Sequence, residues 1–186
     1  MRQRDKCGLA ALVLLAGLCL WLTTQPEYRP ALAFYPHTPA PQPWRWLSAH
    51  LLHLNATHLW LNLLAAAVLT LLAWQRQKLA LLLPVLLLSA LAVDLGLLLE
   101  TPVNWYVGLS GALHGMFAWL VLDQGLAAPR RDWPWLLSWL LGAIKIRYDL
   151  HSQTQWLGIV SVPQAHLYGF IGGTLLALLC YLRQRR

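Results

Sequence analysis

The sequence predicts an all-α membrane protein with six membrane-spanning helices and with the N and C termini cytoplasmic. Of its 186 residues, 58% are hydrophobic and 11% are charged, whereas soluble domains carry about 25% charged residues. Six apolar segments approach the ~20 residues that a membrane-spanning helix needs. The basic residues lie in short runs between those segments, and their distribution sets the predicted orientation.

The six predicted helices belong to a single domain, because a chain of 186 residues leaves little room for a second one. The first apolar run is interpreted as a helix and not as a cleaved signal peptide, since no small-x-small cleavage site follows it cleanly. The fifth run is short and rich in tryptophan, which is expected at membrane interfaces. The predicted domain is 1–186, with helices at approximately 7–23, 56–74, 79–99, 107–124, 133–146 and 163–182.

The orientation follows from the lysines and arginines. With a cytoplasmic N-terminus, ten of them lie on the cytoplasmic side and four outside, namely Arg29, Arg45, Lys145 and Arg147. This bias is typical of a multi-pass protein of the bacterial inner membrane, and it places the long outer loop 24–55 on the periplasmic side. The loop contains several prolines and cannot form one regular helix. Loops of ~30 residues are often functional.

The composition excludes several classes of function. The net charge of +7 comes from basic runs beside apolar segments, so the predicted partner is the phospholipid bilayer and not a nucleic acid. Cys7, Cys19 and Cys180 have no CxxC or CxxH spacing, which argues against a disulfide framework and a metal site. We therefore interpret the cysteines as small packing residues, and we expect no metal and no cofactor.

Five polar residues fall within apolar segments, where such groups are costly and indicate function. On the predicted topology they lie at one depth, in the outer half of the bilayer, on the second, fourth and sixth segments. Ser110 is a candidate nucleophile and His166 its candidate general base. No carboxylate is predicted at the depth of His166, which favours a two-residue dyad over a triad. The five residues are His58, Asn62, Ser110, His114 and His166.

The oxyanion of an acyl-transfer reaction needs hydrogen-bond donors. His58 and Asn62 are spaced i, i+4 and share one helix face, and the backbone N–H of Ser110 is a further candidate donor. Two small-xxx-small patterns predict close helix contact that would bring Ser110 to His166. They are Gly111-x-x-x-Gly115 and Gly169-x-x-x-Gly173.

Each of these features also has a purely structural interpretation. A lone membrane serine often bonds its own i−4 carbonyl, GxxxG often means packing alone, and His58 with Asn62 is equally consistent with an interhelical polar clamp. Asp94 is expected to pair with a polar group of a neighbouring helix. Lys145 and Arg147 are expected to contact phospholipid headgroups, with an acidic stretch of substrate as the alternative. Three interfacial histidines are expected to be solvated: His37, His50 and His151.

The order and spacing of these residues resemble the rhomboid intramembrane serine proteases. The resemblance spans about residues 44–173, and its motifs are weak singly but specific together. It implies that Ser110 is the nucleophile, His166 the general base, and His58 and Asn62 the oxyanion-stabilising pair. The motifs are Trp44-Arg45, a structural element of the first loop; His53, a loop-stabilising histidine; His58-x-x-x-Asn62; Gly108-x-Ser110-Gly111, whose glycines flank the nucleophile; and His166-x-x-Gly169-x-x-x-Gly173.

One departure points to a branch of that family. Many rhomboids carry a tyrosine four residues after the serine, and this chain has His114 there. The string from Gly108 to Gly115 instead resembles rhombosortases, which cleave exported proteins at a C-terminal Gly-Gly motif followed by a hydrophobic helix and a basic tail. His114 is expected to stack on or hydrogen-bond His166, with helix packing as its alternative role. A general rhomboid protease and a non-catalytic, helix-binding relative remain the competing interpretations.

Overall fold

The computed structural model describes residues 3–38, 42–100, 103–128, 130–152 and 161–185. These residues are predominantly helical and include no β-strand, although Phe34 and Tyr106 form an isolated antiparallel bridge. Two α-helices are single turns and six are long. In chain order they are α1 (Gln3–Thr23), α2 (Arg29–Leu32), α3 (Arg45–Ser48), α4 (Ala56–Gln75), α5 (Leu79–Leu97), α6 (Ser110–Ala127), α7 (Trp133–Ser152) and α8 (Pro163–Gln184).

The predicted all-α class is confirmed. In the described part of the chain, four helices are long and apolar enough to cross a membrane: α1, α4, α5 and α8. The six-span topology and the cytoplasmic termini stay predictions. The helix α6 carries Asp123 and Gln124 in its last turns, and α7 carries Lys145, Arg147, Asp149 and His151 toward its end. Neither is among the four helices that are apolar enough to cross a membrane.

The helix α6 forms the centre of the molecule. It packs against α4, α5, α7 and α8, and Trp119, Leu120 and Met116 are among its fully buried side chains. A helix that is surrounded by other helices meets little lipid, so it tolerates polar residues that a lipid-facing helix does not. This position allows α6 to hold polar groups near its first turn.

The helix α7 extends further than the sequence predicted. We expected the fifth segment to end near residue 146, but the helix continues to Ser152. Lys145 and Asp149 are spaced i, i+4 and form an ion pair 2.5 Å long, which supports the additional turn. The predicted boundary followed the loss of hydropathy, which does not register a pair of opposite charges on one helix face.

Hydrogen bonds connect separate parts of the loop 24–55 to each other and to the chain before α6. The Arg45 guanidinium donates to the carbonyl oxygens of Pro30 and Ala33 at 2.8 and 2.7 Å, and the Trp44 indole donates to the Ala31 carbonyl. The backbone of Phe34 then exchanges two hydrogen bonds with the backbone of Tyr106. The loop therefore supports the segment that leads into α6.

Candidate active site

Ser110 is the first residue of α6, and the chain before it is held in a defined conformation. Gly108 has a φ of +124°, a region that L side chains rarely adopt. Its N–H donates to the Ala49 carbonyl at 3.0 Å, and its own carbonyl accepts a 2.6 Å hydrogen bond from the Tyr106 hydroxyl. These contacts fix the direction from which the chain enters α6.

His166 lies in the first turn of α8, just after Pro163, which suits the first position of a helix. Its Nε2 is 3.0 Å from the Ser110 hydroxyl oxygen, although the two residues are 56 positions apart. A hydroxyl can donate to an unprotonated ring nitrogen at this distance. The structure thus brings the candidate nucleophile and the candidate base together.

Direct contact between the backbones of α6 and α8 makes this geometry available. A Cβ placed on Gly169 would lie 1.9 Å from the Gly111 carbonyl oxygen, and a Cβ on Gly173 would lie 1.9 Å from the Gly115 carbonyl oxygen. No side chain fits at these separations. The predicted close approach of the two small-xxx-small faces is therefore confirmed.

His114 lies one turn after Ser110 on α6, beside the His166 ring. Its ring stacks on the His166 ring, with centroids 4.2 Å apart and planes inclined by 16°. Its Nδ1 is 2.8 Å from the Ser110 carbonyl oxygen. A carbonyl oxygen only accepts, so Nδ1 of His114 carries the proton in this arrangement. Stacking, one of the two contacts expected for His114, is observed.

His58 and Asn62 approach the same place from α4, and both are buried. A Cβ on Gly108 would lie 2.8 Å from Cε1 and 3.1 Å from Nε2 of His58, so the His58 ring packs against the turn before Ser110. The backbone N–H of Leu54 donates to Nδ1 of His58 at 3.4 Å. The neutral His58 ring therefore carries its proton on Nε2, which points a donor toward this turn.

A cavity of about 430 Å³ lies beside Ser110, between α4, α6 and α7. Its wall is mostly apolar, with Asn62, His114 and Lys145 as further polar members. The side-chain nitrogen of Asn62 is buried without a hydrogen-bond partner among the described residues. A buried donor without an acceptor is destabilising, which makes Asn62 available to a substrate oxygen.

His53 is buried behind His58, with ring centroids 5.1 Å apart in an edge-to-face arrangement. Burial, and secondarily the charge of a protonated His58, lowers the pKa of His53 from its ordinary value of 6.5 to about 4. His53 is therefore a neutral ring near pH 7. Its location, packed under His58 at the end of the loop 24–55, fits the loop-stabilising role that the sequence implied.

The prediction that His50 is solvated was wrong. His50 is 3% exposed, and its Nε2 lies 3.2 Å from the carboxylate of Asp94, which is fully buried in α5. The expected polar partner of Asp94 is therefore His50.

The Tyr106 hydroxyl is also buried near Asp94. Burial, together with the nearby Asp94 carboxylate, raises the pKa of this hydroxyl above its ordinary value. The hydroxyl therefore stays protonated and donates to the Gly108 carbonyl.

The prediction that no carboxylate lies beside His166 was also wrong. Asp149 is in the last turn of α7, and its Oδ2 is 4.0 Å from Nδ1 of His166. The same oxygen pairs with Lys145, which also lines the cavity beside Ser110. Arg147 contacts His151 on the outer face of α7. Asp149 was missed because the fifth segment was predicted to end near residue 146.

Comparison with known protein families agrees with this geometry. The family model of the Rhomboid domain matches residues 40–183, which is most of the chain. The chain belongs to the rhomboid family. Rhomboids are generally intramembrane serine proteases, and this rhomboid is a multi-pass membrane protein. No curated protein matches the sequence.

The matched range of the rhomboid family covers the whole candidate site. It begins before Arg45 and ends in α8, so it includes the loop 24–55 from residue 40 onward and the helices that carry the polar groups. It does not include α1 or α2. Five residues were predicted from the sequence to support the site, and all five lie beside it. Gly108 and His53 pack against His58, His114 stacks on His166, and Gly169 packs against Gly111.

Proposed function

We propose that this rhomboid is an intramembrane serine endopeptidase in which Ser110 is the nucleophile and His166 is the general base. The observation that supports it most directly is the 3.0 Å contact between the Ser110 hydroxyl and Nε2 of His166. Nucleophile and base within hydrogen-bond distance are the signature of an activated serine. Both groups come from helix starts that are held by direct backbone contact, so the contact requires no rearrangement.

In the proposed reaction, the Ser110 oxygen attacks the scissile carbonyl carbon while its proton passes to Nε2 of His166. The tetrahedral intermediate collapses when His166 returns that proton to the leaving amine, which breaks the peptide bond and leaves an acyl-enzyme on Ser110. Water, activated by His166 in the same way, then releases the acyl group. Release to a lipid-derived amine in place of water is the alternative for this second step.

The oxyanion of that intermediate is proposed to bind to donors from α4 and α6. Nε2 of His58 and the unpartnered side-chain nitrogen of Asn62 approach Ser110 from α4. The first N–H groups of α6 have no acceptor within their helix and lie at its positive end. Donors that are fixed before the reaction stabilise developing negative charge without reorganisation.

The proposed substrate is a membrane-anchored exported protein with a C-terminal Gly-Gly motif, a hydrophobic helix and a basic tail, as expected of a rhombosortase. Two features support this choice. His114 stands where many rhomboids have a tyrosine, and the mostly apolar cavity beside Ser110 suits an unwound segment of small residues. Glycine destabilises a helix by ~1 kcal/mol relative to alanine, so Gly-Gly eases local unwinding. The proposed site faces the periplasm of a bacterial inner membrane.

The test is co-expression with a reporter that bears the Gly-Gly, helix and basic-tail signal. Wild type is expected to process the reporter, and Ser110→Ala and His166→Ala are expected to lose processing. Two matched controls change the same residue types on the exposed face of α7: Ser138→Ala and His151→Ala. Both controls are expected to retain processing.

A second reporter, with Leu-Leu in place of Gly-Gly, separates the competing interpretations. Equal processing of both reporters would favour a general rhomboid protease. Processing that survives in Ser110→Ala or His166→Ala would remove the proposed mechanism. No processing of either reporter by folded wild type would favour a non-catalytic relative that binds membrane helices.

A further inference from the structure

One nitrogen of the candidate base has no role in the reaction described above. Nδ1 of His166 is buried and has no hydrogen-bond partner among the described residues. If Nε2 accepts the Ser110 proton, the neutral ring must carry its own proton on Nδ1. A buried N–H without an acceptor is destabilising. The nearest carboxylate to this N–H is Asp149 on α7, with Oδ2 4.0 Å away.

We propose that Asp149 is a positioning residue for His166, which makes the site a Ser–His–Asp arrangement assembled from α6, α8 and α7. This inference rests on the proposed function, since it assigns a task to Asp149 only if His166 acts as the base. It differs from the dyad predicted from the sequence. Asp149 does not touch the reacting atoms, and it acts only through the His166 ring.

The geometry places Asp149 on the correct side of the ring. Ser110 contacts Nε2 and Asp149 approaches Nδ1, so the two groups lie at opposite edges of one imidazole. A carboxylate at Nδ1 favours the tautomer in which Nε2 is free to accept a proton. Once Nε2 has taken the Ser110 proton, the ring carries a positive charge that the carboxylate stabilises.

The charged groups around the ring explain why the contact is 4.0 Å and not a hydrogen bond. Oδ2 of Asp149 also pairs with Lys145 at 2.5 Å, and this ion pair holds the carboxylate short of hydrogen-bond distance from Nδ1. On its other sides the His166 ring meets His114 by stacking and Ser110 by hydrogen bonding. A movement of about 1 Å would bring the carboxylate oxygen within hydrogen-bond distance of Nδ1. Catalytic hydrogen bonds commonly tighten in this way when substrate binds.

The variant Asp149→Asn tests this role because it removes the charge and keeps the shape. A fluorophosphonate probe reports the reactivity of Ser110 without requiring a protein substrate, and reporter cleavage supplies kcat and KM. We expect Asp149→Asn to slow labelling and to lower kcat about 10- to 100-fold, less than the ~10⁴-fold seen for a fully buried triad aspartate. KM should stay within about threefold, because the substrate does not touch Asp149. Asp149→Glu, which keeps the carboxylate, should recover part of the rate.

The matched control is Asp132→Asn, which makes the same chemical change just before the other end of α7. Asp132 pairs with Arg131 and lies ~25 Å along the helix from Asp149, so its variant should be labelled at the wild-type rate. Labelling of Asp149→Asn within about twofold of wild type, with Ser110→Ala unlabelled, would overturn the inference and leave the Ser–His dyad standing.

A readout that does not depend on turnover separates this inference from the proposed function. The ¹⁵N shifts of histidine-labelled protein report which ring nitrogen is protonated, and His166→Ala assigns the His166 signals. We expect the Nδ1–H tautomer in wild type and a larger share of the Nε2–H tautomer in Asp149→Asn. An unchanged tautomer ratio overturns the role of Asp149 even if the protein is an active protease. An unlabelled and inactive wild type overturns the proposed function, and the tautomer shift then stands as the result for Asp149.

Discussion

The histidines of this site differ in what determines which of their ring nitrogens is protonated. His114 is held in one tautomer by the Ser110 carbonyl, and His58 in the opposite one by the Leu54 N–H. His53 has neither constraint, since both of its ring nitrogens are buried without a partner among the described residues. The His53 ring is neutral because it is buried. Protonation of this ring in acid therefore favours the unfolded state, so the stability of the protein depends on pH.

We predict that the folded protein loses stability in acid through His53. Its pKa is about 4 when folded and 6.5 ordinarily, so the unfolded state binds more protons between these values. The contribution is fully present above pH ~6.5 and is lost as the pH falls toward 4, by up to ~3 kcal/mol. Thermal unfolding in detergent at pH 7.5 and 4.5 measures the loss. His53→Phe should show a smaller acid-induced drop than wild type.

The control for this prediction is His151→Phe, which changes an exposed histidine. This variant removes an imidazole that is not buried, so it should show the wild-type dependence of stability on pH. An acid-induced drop that is as large in His53→Phe as in wild type would assign the acid sensitivity to another group.

At the scale of whole helices, the site depends on the face that α6 and α8 share. Four glycines let the two backbones touch, and the same face aligns the starts of the two helices, where Ser110 and His166 lie. A substitution that disturbs this packing one or two turns away is expected to displace Ser110 and His166 as well. Such a substitution should therefore lower both the stability of the protein and the reactivity of Ser110.

We predict that Gly173→Ala separates α6 from α8. Its Cβ would lie 1.9 Å from the Gly115 carbonyl oxygen, so the helices must move apart, at a cost of about 1–3 kcal/mol. His166 lies two turns earlier on α8, and a 1 Å misplacement of a catalytic group costs ~10²-fold in rate. Thermal unfolding and fluorophosphonate labelling measure the two effects.

The matched control is Gly17→Ala in α1, where an added Cβ meets nothing within 4 Å. Alanine is the better helix former by ~1 kcal/mol, so this variant should be as stable as wild type or slightly more so. If Gly173→Ala were labelled at the wild-type rate with unchanged stability, the close contact of α6 and α8 would not be what positions the site.

At the scale of the whole molecule, the loop 24–55 and the six long helices form one connected structure. Arg45 ties the loop to itself, the Phe34–Tyr106 bridge ties it to the chain before α6, and the Ala49–Gly108 hydrogen bond reaches the residue two positions before Ser110. The stability of the loop 24–55 is therefore coupled to that of the site.

We predict that the amides of Phe34, Tyr106 and Gly108 are protected from hydrogen exchange although none lies in a helix, because each donates to a backbone carbonyl. Arg45→Gln removes the guanidinium that binds Pro30 and Ala33 and should speed exchange at Phe34. Arg131→Gln is the control, since Arg131 is exposed and forms an ion pair with its neighbour Asp132. Unchanged exchange at Phe34 in Arg45→Gln would show that the loop is held by other contacts.

Much of this arrangement was predictable from the sequence, because membrane burial makes polar residues conspicuous. Ser110, His114 and His166 were singled out by their shared predicted depth together with the order and spacing of their motifs, and the structure brings them into contact. His50 was misjudged because its burial is created by Asp94, 44 residues further along the chain. Asp149 was missed because hydropathy ends the fifth segment before its last turn. Contacts between distant segments leave no local pattern, and these are what the sequence could not supply.

The separation of Ser110 from His166 has a consequence for synthesis. Ser110 lies in the fourth long helix and His166 in the sixth. On the proposed mechanism, a chain that is still being synthesised therefore cannot cleave other proteins until α8 has been inserted and packed on α6. On that mechanism, the order in which the helices are inserted is enough to keep the chain inactive during its own synthesis. The proposed proteolytic activity would then begin only once the last long helix is in place.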